Sequence, residues 1–279
     1  MFIREKVLSC GEYVEVDLIP RTVDAERAVR GVRAKKKKLS RPAQDKVNHK
    51  NSARSITQLA NGNFKNYEDY WLTLTYQPKF LPATLEEAEK EIKKYLERLS
   101  YRCRKINKEL KYILVTEYEL DEEGNQVKNF HHHLIVNGVL DREEIEGCWS
   151  KGRGKNKEMI GRANCRRLQF DNNGIAGIAN YVMKPRFGKR GKKKWSSSRN
   201  LKRPTLIAND YKYTPKQIEK MALSNDYGEE RLARIYKNYD IAEVQPIYYE
   251  DTGWHFYLRM WKKKKKGGVI CTASQFKAR

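Results

Sequence analysis

Three of the chain's five histidines stand together, His131, His132 and His133, between Phe130 and the apolar trio Leu134, Ile135 and Val136. Aliphatic and β-branched residues bounded by Asn129 on one side and by Asn137 and Gly138 on the other predict a short buried strand. Side chains alternate across a strand, so His131 and His133 share one face and His132 takes the other. Two imidazoles one pleat apart can converge on one divalent cation. Imidazole favours Zn, Mn, Fe or Ni, and a carboxylate beside it pulls the preference toward Mg or Mn. The competing reading is a set of core histidines satisfied by backbone groups, and the rest of the chain decides between the two.

Charge narrows the choice of partner. Lys and Arg number 58 against 35 Asp and Glu, a net charge of +23, which points to a polyanion: nucleic acid or an anionic membrane surface. No apolar run approaches the length that spans a bilayer, and the first residues lack a signal-peptide core, so nucleic acid is the expected partner, with no membrane, in a cytoplasmic setting. The cysteines, at 10, 103, 148, 165 and 271, are scattered and form no CxxC pair. Free thiols in a reducing cytosol are expected, and no zinc knuckle. The basic glycine loop at 151–155 does not match GxxxxGK[ST], which argues against a built-in helicase or ATPase.

Taken in order, residues 1–20 alternate weakly and predict a hairpin or edge strand. Residues 21–63 are charge-rich, with a basic run at 33–38 that is either a solvated tail or a phosphate-contacting arm, and with helical spacing over 50–61. Residues 70–76 form a strand by their aromatic and β-branched content, placing Trp71, Thr73 and Thr75 on one face and the core candidates Leu72 and Leu74 on the other. Thr84 and Glu87 predict a capping box opening a helix that runs to about Asn107. A strand at 111–119 and a polar turn at 121–125 return the chain to the histidine strand as a hairpin, with Glu117 and Glu119 on one face near its end. A helix starts at Asp141 and runs through Trp149, a basic strand covers 163–170, and a helix covers 175–184. In that last helix Ile175, Ile178, Ala179 and Val182 form the buried stripe, while Gly174, Gly177, Tyr181 and Lys184 follow another face and clear space for a ligand. Residues 188–200 interleave cations with Trp195, a composition suited to phosphates and an unstacked base. Beyond 205, helices are expected at 213–221 and 227–239 and strands at 245–249 and 254–260, completing the sheet or making a small module.

The order of three features matters more than any one. The strand with Trp71, Leu72, Thr73, Leu74, Thr75 and Tyr76, the His-x-His strand, and the helix with Tyr181 and Lys184 in a Tyr-x-x-Lys spacing resemble the three motifs of the HUH endonucleases. Among these the chain is most similar to the single-tyrosine replication-associated proteins of rolling-circle phages, plasmids and mobile elements. The resemblance covers residues 65 to 205 or so, and departs from the family in having His132 between the two ligand histidines, where a hydrophobic residue is usual. That leaves open a register using His132. The acidic third ligand has no strict motif, so Glu117, with Glu119 as the alternative, is positional.

The resemblance implies an α+β fold with a central antiparallel five-stranded sheet, RRM-like, and flanking helices. It divides the chain into a basic N-terminal arm at 1–64, the endonuclease domain at 65–204 and a C-terminal extension at 205–279. It implies Mg2+ or Mn2+ held by His131, His133 and Glu117, with Tyr181 as nucleophile and Lys184 beside it. The implied DNA contacts are Thr73, Thr75, Arg166, Arg167, Lys192, Lys193, Lys194, Trp195 and Arg199. The expected partners are single-stranded or hairpin origin DNA and the host helicase and polymerase, in the host cytoplasm if the carrier is a phage. Attack by Tyr181 on the scissile phosphorus would leave a 3′-hydroxyl and a 5′-phosphotyrosyl link that retains the bond for religation. A phenol with pKa near 10 is about three units from ionised at neutral pH, roughly 4 kcal/mol for using its phenolate, which a neighbouring ammonium and a cation on the phosphate offset. Two other classes compete: an HUH transposase or relaxase, the latter needing an N-terminal nucleophile where Tyr13 alone stands, and a non-catalytic RRM-like nucleic-acid-binding protein.

Overall fold

The computed structural model describes residues 1–29, 42–120, 126–152, 154–182 and 195–263. In chain order the elements are β1 Phe2–Cys10, β2 Tyr13–Arg21, α1 Val23–Val29, α2 Pro42–Asn63, β3 Tyr70–Leu74, α3 Leu85–Lys105, β4 Tyr112–Leu120 and β5 Gln126–Val136. They continue with α4 Arg142–Gly147, β6 Ser150–Lys151, β7 Glu158–Met159, β8 Ala163–Arg167, α5 Ala176–Val182, β9 Trp195–Ser197, β10 Thr205–Asn209, α6 Pro215–Ala222, α7 Glu229–Ile235, β11 Tyr239–Tyr249 and β12 Gly253–Lys262. The contacts divide into two units, one of residues 31–204 and one of residues 1–30 with 205–279.

The first unit carries the expected fold: an antiparallel five-stranded sheet in the order β8-β3-β5-β4-β9, flanked by helices. Alternation sorts its side chains onto two cores. Leu72, Leu74, Leu134, Val136 and Cys165 face α3, whose buried residues Ala88, Ile92, Tyr95, Leu99 and Cys103 recur at helical spacing. Thr84 caps α3 by accepting the Glu87 N–H at 3.2 Å, while the Glu87 carboxylate takes the Ala83 N–H at 2.9 Å. α4 has a complete capping box between Asp141 and Glu144, yet ends at Gly147 rather than running through Trp149. The Trp149 indole is instead buried in the core, its Nε1–H donating to the Thr75 carbonyl at 2.8 Å. On the other face of the sheet, Ile113, Val115 and Ile135 meet Ile56, Leu59 and Ala60 of α2 and Ile175 and Ala179 around α5. Residues 42–63 are therefore a long helix in the core of this unit, not part of an arm. The basic run at 33–38 lies outside the described residues.

The second unit differs most from expectation. The hairpin predicted for the first twenty residues exists, turning at Gly11 with φ +63°, a conformation glycine adopts at no steric cost. It is the centre of a second antiparallel sheet, in the order β10-β1-β2-β12-β11. Val14, Val16 and Leu18 pair with Met260, Leu258 and Phe256, and α6 and α7 close this core with Ile218, Met221 and Leu232. Residues 205–279 thus do not stand apart as an extension, because their strands hydrogen-bond to residues 2–21. A buried Glu5 accepts from the Tyr236 hydroxyl and the Lys212 ammonium. Among the described residues no helix is long and apolar enough to cross a membrane, and none of the four described cysteines is in a disulfide.

Candidate metal and nucleophile site

The hairpin of β4 and β5 sets the histidine geometry. Glu117 stands directly across from His131, and Val115 across from His133, so all four project from the face covered by α2 and α5. Beyond Glu117 the register shifts, placing Glu119 opposite Lys128, so that β5 carries one extra residue. Glu117 is the carboxylate that reaches an imidazole: its Oε2 lies 3.1 Å from His133 Nε2, and Lys128 Nζ pairs with its Oε1. The His133 ring stacks parallel to Trp71, 5.3 Å between centroids, and its Nδ1 is 3.3 Å from the Thr73 hydroxyl. A hydroxyl both donates and accepts, so Thr73 supports either tautomer of that ring. His131 Nδ1 is 2.6 Å from the Asn129 carbonyl. A carbonyl only accepts, so Nδ1 carries the hydrogen and Nε2 keeps its lone pair.

These donors fit a cation in kind. His133 Nε2 and Glu117 Oε2 are as far apart as two neighbouring ligands on one ion with bonds of about 2.1 Å. Burial lowers the pKa of His131 and pushes His133 down to about 4, keeping both imidazoles in the neutral, ligating form at pH 7. As they stand, no three His, Cys, Asp or Glu side chains among the described residues are gathered into a cage. His131, turned to Asn129, would have to swing toward Glu117.

His132 faces the opposite core, fully buried, with Nε2 2.7 Å from the Tyr76 hydroxyl and Nδ1 3.0 Å from the Thr116 hydroxyl. Burial, reinforced by the flanking imidazoles, pushes it down to about 3. The folded state therefore holds His132 neutral where an unfolded chain, with pKa near 6.5, takes up a proton. Its contribution is complete above pH 6.5 and is lost as pH falls toward 3. Wild-type stability should drop by about 2 kcal/mol more between pH 7 and pH 5 than that of His132→Gln, measured as urea midpoints. Parallel pH curves for the two proteins would contradict this.

α5 delivers Tyr181 to the same face. Its ring meets His133 edge-on, 6.1 Å between centroids, and about half of the residue is exposed to solvent. The stripe Ile175, Ile178, Ala179 and Val182 packs on α2 and sheet residues, which orients the tyrosine. The glycines behave differently from expectation. Gly174 has φ +71°, and a Cβ there would lie 2.2 Å from Asn61 Oδ1, so the space is filled by Asn61 rather than cleared for a ligand. That Asn61 oxygen accepts the Ile175 N–H at 3.0 Å, tying α5 to α2. Lys184 lies outside the described residues, as do Lys192, Lys193 and Lys194.

The expected DNA contacts scatter. Thr73 and Arg166 lie on the histidine face, Arg166 across from Trp71. Arg167, one residue on, points the other way, its guanidinium 4.2 Å over the Tyr70 ring and bonded to the Glu68 carbonyl. Thr75 is spent on the Arg162 carbonyl at 3.3 Å. Trp195 is half-buried against the core containing Ile113 and Val115, whereas Arg199 is exposed. Lys128 escaped the sequence reading, since only the register shift brings it to Glu117. Tyr13, the residue a relaxase would need, is wholly buried with its hydroxyl donating to Glu15 at 2.9 Å.

Residues 69–186 match a family model for replication-associated proteins of the ORF2 type, a match consistent with a rolling-circle replication initiator. It spans less than half of the chain and contains β3, the histidine strand and α5. No curated protein and no solved structure matches the chain.

Proposed function

We propose that the chain is a rolling-circle replication initiator that nicks and rejoins single-stranded origin DNA through Tyr181. The observation that carries this reading is the meeting of Tyr181, His133 and Glu117 on one face of the sheet, within the segment that matches a replication-associated family. In the proposed reaction the Tyr181 oxygen forms a bond to phosphorus, its proton passing to solvent, and the bond from phosphorus to the 3′ oxygen breaks. That oxygen takes up a proton and becomes the primer end. Reversal by a 3′-hydroxyl restores the strand and releases the tyrosine, so no external energy source is needed. His131, His133 and Glu117 would hold Mg2+ or Mn2+, which when bound stabilises charge developing on the phosphate. Trp71 and Thr73 keep His133 oriented, and α2 keeps α5 in place so that the phenol meets the phosphate without a search.

The test is to incubate the protein with labelled single-stranded and hairpin oligonucleotides and Mn2+, then separate the products under denaturing conditions. A protein-linked 5′ fragment together with a free 3′-hydroxyl fragment is expected. Binding without any adduct, across a randomised oligonucleotide pool, would favour a non-catalytic nucleic-acid-binding protein.

A further inference from the structure

We infer that the opposite side of the same unit carries a second, non-catalytic binding cleft for single-stranded polynucleotide. α3 and the segment after α4 enclose a cleft of about 1050 Å3. One wall is the outer face of α3, where Lys94, Arg98, Arg102 and Lys105 recur at one-turn intervals. The other wall brings Lys151 and Lys157. Because α3 packs on the Leu72 and Leu134 side of the sheet, the cleft is separated from Tyr181 by the sheet itself.

The cleft is organised rather than merely charged. Glu91, nearly buried in α3, draws in Lys151 at 3.2 Å, Arg98 at 3.8 Å and Lys94 at 4.0 Å, tying the two walls together. Arg98 Nε also donates to the Cys148 carbonyl at 2.9 Å. With Glu97 and Glu144 included, six cations face three carboxylates, so a positive excess remains. Tyr101 lies among these cations, 54% exposed, with Lys105 Nζ 4.9 Å from its ring centre. An exposed aromatic ring among spaced cations matches a phosphate chain with unstacked bases. An acidic protein segment would use the charges but leave the ring idle. The cleft would hold a strand away from the nick while the Tyr181 face works on the scissile phosphate.

The inference rests on nucleic acid being the partner, and not on Tyr181 chemistry, so it is tested by binding alone. The full chain, in chelator, is titrated with a labelled 30-mer of thymidine across a range of salt. Neutralising Lys94, Lys105 and Lys157 to Gln should lower the slope of log affinity against log salt by about 2. Neutralising Lys50, Lys90 and Lys108, exposed elsewhere in the unit, should change it far less. Tyr101→Ala should weaken binding about tenfold, with the fold intact because the ring is exposed. Equal slopes for the two triple variants, with wild-type affinity for Tyr101→Ala, would overturn the cleft and leave the proposed function standing. A wild-type chain that binds no oligonucleotide would overturn both. A poly-glutamate peptide that binds wild type and is lost in the cleft variant, with the oligonucleotide slope unchanged, would assign the cleft to an acidic protein and overturn the inference.

Discussion

Tyr181→Phe is expected to eliminate the covalent protein–DNA adduct and to lower cleavage by on the order of 10^3-fold or more, because it deletes the attacking oxygen and nothing else. The ring remains, so the edge-on contact with His133 and the packing of α5 on α2 persist. Since about half of Tyr181 is exposed, folding stability should shift by no more than about 0.5 kcal/mol. Oligonucleotide affinity should stay near wild type. Lys184→Ala should slow cleavage by a smaller factor, since a neighbouring charge tunes the attack without performing it. Peptide mapping of the wild-type adduct is the decisive measurement. A label on Tyr67, Tyr76, Tyr211 or another tyrosine, or normal nicking by the Phe variant, would reject the assignment. Tyr76 is the least able to substitute, because its hydroxyl is committed to His132 on the far side of the sheet.

The second large effect is expected on metal binding. Replacing His133 or Glu117 by Ala should weaken Mn2+ affinity on the order of 100-fold or more, read directly from free Mn2+ by electron paramagnetic resonance, and abolish nicking alongside. His131→Ala should do the same, because swinging His131 toward its cross-strand partner Glu117 completes the donor set. Lys128 has the opposite relation to the ion. Its ammonium already neutralises Glu117, so Glu117→Ala leaves a cation that is exposed enough to hydrate, and the fold should survive. His132→Gln should bind Mn2+ as wild type does, since both of its nitrogens face hydroxyls in the other core. Full nicking in chelator, or a loss of Mn2+ confined to His132, would refute this arrangement.

Much of the first unit was legible because local pattern and tertiary burial agree there. Alternation separated His131 and His133 from His132, Leu72 and Leu74 read as core, and Thr84 announced α3. What stayed hidden depended on partners distant in sequence. α2 is long and charged, with a weak apolar stripe, and is held by Ile113, Val115 and Ile135 rather than by its own propensity. Gly174 looked like an opening because the residue that fills it, Asn61, is 113 positions away. The pairing of Glu117 with Lys128 depends on a one-residue bulge, which no periodicity reveals. The second sheet was unreadable for the same reason, its central pair joining Val16 to Leu258.

That central pair has a consequence for how the chain is made. The β1–β2 hairpin leaves the ribosome first, but its partner β12 follows some 240 residues later. At about 5–20 residues per second, the hairpin waits roughly 10–50 s with Val14, Val16 and Leu18 uncovered. The continuous unit, complete by residue 204, can finish folding within that interval. Nascent chains stalled before β11 should therefore carry a protected histidine hairpin beside an adhesive pair of N-terminal strands. A premature stop in the last forty residues would then be felt less at Tyr181 than in the solubility of everything upstream.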